Sequence, residues 1–362
     1  MVSFREDRVF VPLHVPKQRR LQTAAVLLHL ASIPFFLSLP FILTYLVITC
    51  ANQAFLLVLR FCIATYIVYY VVDFKRPFSG ESKPSAWLMK YCKSWFKLYR
   101  AYYPVTGIVS EEAANAFSAL AGSPRPFMIG SHPHGIVSVG SVTNLALDPG
   151  WLTDRFPHLN LRLLTLNMNM IWPFWREWLL GLGFASVDKV SCENILRKSG
   201  KNGESNGLAI VLGGAREALD AAPGKMDLTL NCRNGFFKLA LEHGALLFPT
   251  IVFGENDIYE QIDNVFVRAL QQAWYRVFGF STPFFFGRGI FNYRFGWLPR
   301  RIPITMVIGS PIDVQKTAPS EITGEEISKL RSLYIERLAQ VYAEYREKYE
   351  VVRCAKGLRI LQ

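Results

Sequence analysis

Pro126-Phe127-Met128-Ile129-Gly130-Ser131-His132-Pro133-His134-Gly135 is the stretch on which the reading of this chain turns. Its first part, Pro126 to Ile129, is an apolar run of strand length. Gly130 and Ser131 are expected to end that strand, and two histidines follow around Pro133. Imidazole takes and returns a proton near pH 7. Two imidazoles at a strand exit stand where open α/β sheets bind ligands, outside the carboxyl ends of the strands. Three readings fit: structural histidines in a turn, a pair of metal ligands, or a general base for acyl or hydrolytic transfer. A metal site needs further ligands. The other histidines are His14, His29, His158 and His243, with no His-Glu-x-x-His and no cysteine pair, so no metal is expected.

Further strand-length apolar runs are Leu161–Leu166, Leu208–Leu212, Ala245–Phe253 and Ile304–Ile308, with helix-length stretches between most of them. Continuous rather than alternating apolar strands imply a mainly parallel sheet buried on both faces, an α/β fold with flanking helices. Ile136–Leu147 reads as a helix that starts directly after His134-Gly135. Two other strand exits are polar: Gly213-Gly214-Ala-Arg-Glu217 and Gly254-Glu255-Asn-Asp257. In a parallel sheet they share one edge with His132 and His134. Glu217 is then a candidate to orient or charge-balance a histidine, set against the ordinary role of a first-turn acid on a helix. Gly213 and Gly214 allow close backbone approach, and N–H groups there suit an anion.

Upstream of the sheet the chain changes character. From Leu21 to Leu59 no Asp, Glu, Lys or Arg appears, and the second apolar run, Ala54 to Val72, contains only Arg60. That is long enough to enter a bilayer and too long for a signal peptide. Pro34 and Pro40 are expected to kink or break a single helix, and Asn52-Gln53 offers a turning point. Lys17, Arg19 and Arg20 precede the runs, and Lys75 and Arg76 follow them, which puts both ends in the cytosol. Arg60 is expected to snorkel or to mark a shallower segment. Trp87–Tyr103 carries Lys90, Lys93, Lys97 and Arg100 on one helical stripe and an aromatic face opposite. It fits a helix lying in the membrane interface, or one packed on the domain.

The 362 residues are 51% hydrophobic and carry a net charge of +12. A basic balance fits nucleic acid, an anionic membrane or a phosphate-bearing substrate. No zinc-finger spacing, aromatic RNA-binding signature or basic low-complexity tail occurs, which argues against nucleic acid. Six cysteines without a Cys-x-x-Cys fit a reducing compartment. Lys198–Asn206 is a polar insertion. Leu270–Pro303 interleaves aromatics with Arg288, Arg294, Arg300 and Arg301, as a lipid-facing wall with phosphate-binding arginines would. Glu325–Tyr349 has apolar residues at helical spacing and reads as a terminal helix docked on the sheet. The expected organisation is a cytosolic tail (1–20), a helical membrane hairpin (21–76), an interfacial helix and linker (77–123), a catalytic α/β domain (124–315) and a C-terminal amphipathic helix and tail (316–362).

The chain resembles the type-2 diacylglycerol acyltransferases, whose relatives use monoacylglycerol or long-chain alcohols. The resemblance is carried by His132-Pro133-His134-Gly135, Tyr102-Tyr103-Pro104, Pro173 with Arg176 and Gly183, and Gly213–Leu219. It continues in Arg233-Asn-Gly-Phe-Phe-Lys238 with Gly244, Pro249 and Phe253–Asp257, then Gly287-Arg288-Gly289 and Pro303-Ile304 with Gly309–Ile312. Phe36-Leu-Ser-Leu39 fits a lipid motif of the same family. The resemblance implies a glycerol-phosphate-acyltransferase-like fold and transfer of a fatty acyl group from acyl-CoA to diacylglycerol, making triacylglycerol. Monoacylglycerol or a long-chain alcohol is the alternative acceptor. A His-x-x-x-x-Asp is absent, since positions 137 and 139 are both Val. Glu217 is therefore the expected carboxylate partner of a histidine base, His134 with His132 as its rival. Backbone N–H groups near Gly135 or Gly213-Gly214 are the expected oxyanion donors. Arg233, Lys238, Arg288 and Arg301 are the expected acyl-CoA-binding cations. Acyl-CoA is a co-substrate and no cofactor is implied. The implied location is the endoplasmic reticulum membrane, with lipid droplets a second site, and an oligomer is left open. A metal-dependent membrane hydrolase and a non-catalytic lipid-binding protein are the readings from other classes.

Overall fold

The computed structural model describes residues 10, 14–81, 83–147, 149–200, 203–262, 264, 266, 269–271, 273 and 284–361. Most of the 1–20 tail, and parts of Lys198–Asn206 and Leu270–Pro303, therefore lie outside the described residues.

Two apolar helices open the chain, α1 (Lys17–Thr49) and α2 (Gln53–Val72), and both are long and apolar enough to cross a membrane. Their outward faces are hydrocarbon: Phe41, Tyr45, Ile48, Leu57, Phe61 and Val72 are all exposed. Asn52 turns the chain by capping α2, its side chain accepting from the Phe55 N–H at 3.0 Å. Of the expected kink or break at Pro34 and Pro40, the break does not occur: α1 is continuous from Lys17 to Thr49. The hydroxyl of Thr44 donates to the Pro40 carbonyl at 2.8 Å, an ordinary back-bond of a threonine to the preceding turn. Arg60 is exposed about two turns into α2, within snorkelling reach of the far interface.

The helix α3 (Ala86–Tyr102) satisfies both readings of its segment. Its second half buries Phe96, Tyr99 and Tyr102, while Trp87, Tyr91, Lys90, Lys93 and Lys97 stay exposed. It is tied to α1 by the Trp95 indole N–H, which donates to the Ala25 carbonyl at 2.8 Å, and by His29 against the Tyr99 ring.

The remaining elements are β1 (Thr106–Val109), α4 (Glu111–Ala119), β2 (Phe127–His132), α5 (Val139–Val142), α6 (Gly150–Thr153), β3 (Leu159–Thr165), α7 (Asn167–Ile171) and α8 (Trp175–Gly181). Then come β4 (Ala185–Ser186), α9 (Lys189–Arg197), β5 (Ser205–Val211), α10 (Gly214–Asp220), β6 (Met226–Thr229), α11 (Asn234–His243) and β7 (Leu246–Phe253). The chain closes with β8 (Glu260–Gln261), β9 (Phe285–Phe286), β10 (Thr305–Ile308), α12 (Gly324–Tyr349) and β11 (Leu358–Leu361).

A seven-stranded sheet in the order β1-β10-β7-β2-β5-β3-β4 is the core, parallel throughout except where β10 meets β7. The segment read as interfacial helix and linker thus supplies the edge strand β1. The C-terminal segment supplies β11, which pairs with β6, and α12, which packs Tyr334, Leu338, Val341 and Tyr342 inward. Every residue of β2 and β7 is buried, so both strands are apolar on both faces until the site begins.

The end of α2 is locked to α7 and α8. Tyr66 donates to the Glu177 carboxylate at 2.8 Å, and the wholly buried Arg176 donates to Asp73 at 2.7 Å. These bonds give Arg176 a role in seating the hairpin on the domain.

Candidate active site

The first correction concerns where β2 ends. Gly130 and Ser131 do not stop it: the strand runs on to His132, which pairs with Ile251 of β7. His132 is completely buried. Its Nε2 lies 3.1 Å from the Tyr334 hydroxyl, and that hydroxyl donates to the Gly130 carbonyl at 3.0 Å. With its proton committed there, the phenol faces His132 as an acceptor, so Nε2 is the protonated nitrogen. Burial pushes the His132 pKa down to about 3. Gly130 is glycine for the same contact, since a Cβ there would stand 2.1 Å from the Tyr334 oxygen.

His134 is the histidine at the exit. The His132-Pro133 peptide is cis, and His134 follows it half-buried. Its main-chain N–H donates to Glu217 Oε2 at 2.8 Å, and its carbonyl accepts from the Ser138 hydroxyl at 2.8 Å. Its Nδ1 lies 3.0 Å from the Gly135 carbonyl oxygen. A carbonyl only accepts, so Nδ1 carries the proton and Nε2 presents its lone pair. Burial lowers the imidazole's pKa; the Gly135 carbonyl opposes this and the Arg233 charge adds to it.

Glu217 does not touch an imidazole. Its second oxygen accepts from the Thr229 N–H at 2.6 Å, so the carboxylate joins the β2 exit to β6 through main chain alone. A Cβ on Gly213 would lie 1.7 Å from that carboxyl carbon. Burial pushes the Glu217 pKa up to about 7 against those two hydrogen bonds. Its counterpart across β2 is Glu255, after β7. Its oxygens accept from the N–H groups of Val139 at 2.7 Å and Gly140 at 2.6 Å, at the start of α5. Burial pushes its pKa to about 7 as well. Gly135, at φ +59°, leaves room for it: a Cβ would come 2.5 Å from Glu255 Cγ. The expected helix over Ile136–Leu147 is a turn at Gly135, the short α5, and a π-helical stretch Thr143–Leu147. Sequence reasoning passed over Glu255, although it lies in a strand-exit turn already marked as polar.

Of the four candidate cations, Arg233 alone joins this cluster, donating from Nη2 to the Gly213 carbonyl at 2.5 Å. Gly214, at φ +61°, leaves room beside it. Lys238 is exposed on α11 and pairs with Glu242 at 3.9 Å. Arg288 and Arg301 gather instead around Tyr102.

A family model described as diacylglycerol acyltransferase matches residues 50–358. Diacylglycerol O-acyltransferase 2A of Umbelopsis ramanniana is 37% identical over 343 residues, covering 94% of this chain and 90% of that protein. The 2-acylglycerol O-acyltransferase 1 of Bos taurus is 35% identical over 348 residues, covering 94% and 96%. A solved structure of the 1-acyl-sn-glycerophosphate acyltransferase PlsC from Thermotoga maritima overlaps 91% of this chain and 98% of its own. Its 11% identity and TM-score of 0.39 make that likeness too loose to argue from. On the extent of the family match and of the relatives, this chain belongs to the diacylglycerol acyltransferase family of enzymes.

Proposed function

We propose that this enzyme transfers a fatty acyl group from acyl-CoA to the free hydroxyl of diacylglycerol, giving triacylglycerol, with His134 as general base. The observation that carries the assignment is the His134 tautomer: Nδ1 is held by Gly135, and Nε2 is left as a bare lone pair in a half-buried site. Nε2 takes the hydroxyl proton, the oxygen bonds to the thioester carbon, and the carbon–sulfur bond breaks. The imidazolium then returns its proton to the CoA thiolate. A thioester is already activated, so no acyl-enzyme is needed. Such a base contributes about 10²–10⁴-fold, roughly 3–5.5 kcal/mol. The N–H groups of His134, Val139 and Gly140 are occupied by carboxylates, which leaves Gly135 and the Gly213-Gly214 turn as oxyanion donors. His132, protonated toward Tyr334 and sealed from solvent, supports the strand rather than the reaction.

The two apolar helices support a membrane location, and their basic flanks support a cytosolic catalytic domain, as in the endoplasmic reticulum or at lipid droplets. The bovine relative named for 2-acylglycerol favours monoacylglycerol as the second acceptor. The deciding experiment is an assay of membranes holding the full chain, with labelled acyl-CoA against diacylglycerol, monoacylglycerol and a long-chain alcohol, with and without a metal chelator. Triacylglycerol formed equally in both conditions is the expected result. Acylation of none of the three acceptors overturns the reading, and loss of activity on chelation overturns the metal-free mechanism.

A further inference from the structure

Two arginines crowd one aromatic ring away from His134, and a third lines the cleft beside it. The Arg301 guanidinium lies 4.1 Å from the centre of the Tyr102 ring, and Arg288 lies 5.7 Å from it. Arg19, in the first turn of α1, adds its charge to theirs at Arg301. None of the three makes an ion pair with Asp or Glu among the described residues. Arg301 spends its donors on Gln22, on the Arg19 carbonyl and on Thr23, so it is held rigidly against α1. Arg288 keeps a buried Nε with no partner, and the Arg19 side chain bonds to nothing described. Beside them opens a cleft of about 490 Å³ lined by Gln18, Arg19, Gln22, Tyr102, Arg301 and Pro303. The first turn of α1 at this cleft has neither a side-chain cap nor an acidic residue. Cations at a helix N-terminus oppose the helix dipole, and like charges this close repel, so the arrangement is unfavourable until an anion enters.

We propose that this cleft binds phosphate, with the exposed Arg19 as the donor on its wall, Arg301 as the fixed charge, and Arg288, behind the Tyr102 ring, adding to the positive field. Planar guanidinium forks match phosphate oxygens, and the volume suits a phosphorylated group rather than a lone ion. The cleft opens on the edge of the sheet that carries His134. Pro303 leads into β10, two strands from β2 and so roughly 10 Å away. Pro303 also lies directly over Gly254, next to Glu255. The phosphates of acyl-CoA are one source of this chemistry and an anionic phospholipid headgroup is the other; the first rests on the function proposed above.

The test uses the purified full chain in phosphatidylcholine nanodiscs, with R19Q and the double variant R19Q/R288Q. Because the Arg19 side chain is exposed and has no hydrogen-bond partner among the described residues, R19Q is expected to melt at the wild-type temperature. Binding of free CoA is measured by calorimetry, and turnover by the labelled assay. The expected result is CoA binding weakened at least tenfold in the double variant, with the KM for acyl-CoA raised by a similar factor and kcat within about twofold. Unchanged CoA binding, with loss of the activation given by added phosphatidylserine, assigns the cleft to a lipid headgroup instead. If neither quantity moves in a folded double variant, the proposal is overturned. Arginine-dependent CoA binding in a wild type that acylates no acceptor leaves the site standing and removes the proposed function.

Discussion

Glu217 holds His134 by its main chain, 2.8 Å from carboxylate to N–H, and leaves the imidazole to Gly135. The acid therefore sets where the histidine stands and not how basic it is. Replacing Glu217 with Ala strips partners from two backbone N–H groups, those of His134 and Thr229, at about 1–3 kcal/mol each. Glu217→Gln keeps one acceptor. It should lower kcat by about one to two orders of magnitude while costing less stability than Glu217→Ala. Melting curves beside the labelled acyl-CoA assay separate the two effects.

The two histidines should fail in different ways. His134→Ala is expected to lose about 10²–10⁴ in kcat and still fold. His132→Ala empties a fully buried site and removes the donor to the Tyr334 hydroxyl, which keeps its bond to Gly130, so it should cost about 2–4 kcal/mol of stability. Tyr334→Phe should reproduce part of that cost with His134 untouched. Thermal melts and single-turnover rates on the three variants check the division; a His134→Ala enzyme with wild-type turnover would refute it.

Burial lowers the pKa of His134, so the base stays neutral well below the ordinary histidine range and the acid limb of the rate profile should lie below pH 6.5. Arg233→Gln removes a nearby positive charge and should move that limb toward higher pH. A limb that stays fixed in Arg233→Gln would show that another group sets it.

Stability should depend on pH in two opposed ways. Glu217 and Glu255, raised from 4.5 to about 7, hold protons in the folded state that the unfolded chain has already lost. Their contribution thus falls as pH rises from about 4.5 to about 7. His132, lowered from 6.5 to about 3, stays neutral when folded and becomes charged when unfolded, so its contribution is lost as pH falls from 6.5 to about 3. Urea titrations from pH 4 to 8 should show Glu255→Gln flattening the first slope and His132→Asn the second.

Gly135→Ala tests the fit of Glu255. The position has φ +59°, and the new Cβ would meet Glu255 Cγ at 2.5 Å. Gly122, at φ +74° with nothing within 4 Å, is the control for backbone strain alone. Gly122→Ala should cost about 1 kcal/mol and leave the rate intact, whereas Gly135→Ala should cost more and lower kcat.

The sheet was legible because its inner strands are buried on both faces, which makes β7 and most of β2 unbroken apolar runs. The edge strand β1, Thr-Gly-Ile-Val, is too short and too mixed to announce itself. The extension of β2 through Gly130 and Ser131 was not legible, because Tyr334, 202 positions away, is what lets a histidine finish a buried strand. Helical periodicity showed that Tyr334 faces inward but not what it meets. Glu217 was found from its place after a strand; Glu255 obeys the same rule. The continuity of α1 through two prolines was not legible either, because helix propensities in water count each interior proline as a break.

The length of α1 carries a mechanical consequence. At 1.5 Å per residue its 33 residues make a rod of about 50 Å, while a bilayer's hydrocarbon is about 30 Å thick. Were α1 to span a bilayer, roughly 20 Å of it would stand clear of the lipid, at the end pinned to the domain through Ala25 and Gln22. A helix seated in this way would have one end among acyl chains and the other forming a wall of the arginine cleft. A thinner or thicker bilayer that tilts the rod by 10° swings its dry end by about 3 Å. In that arrangement membrane thickness would be geared to the shape of a cleft that lies outside the membrane.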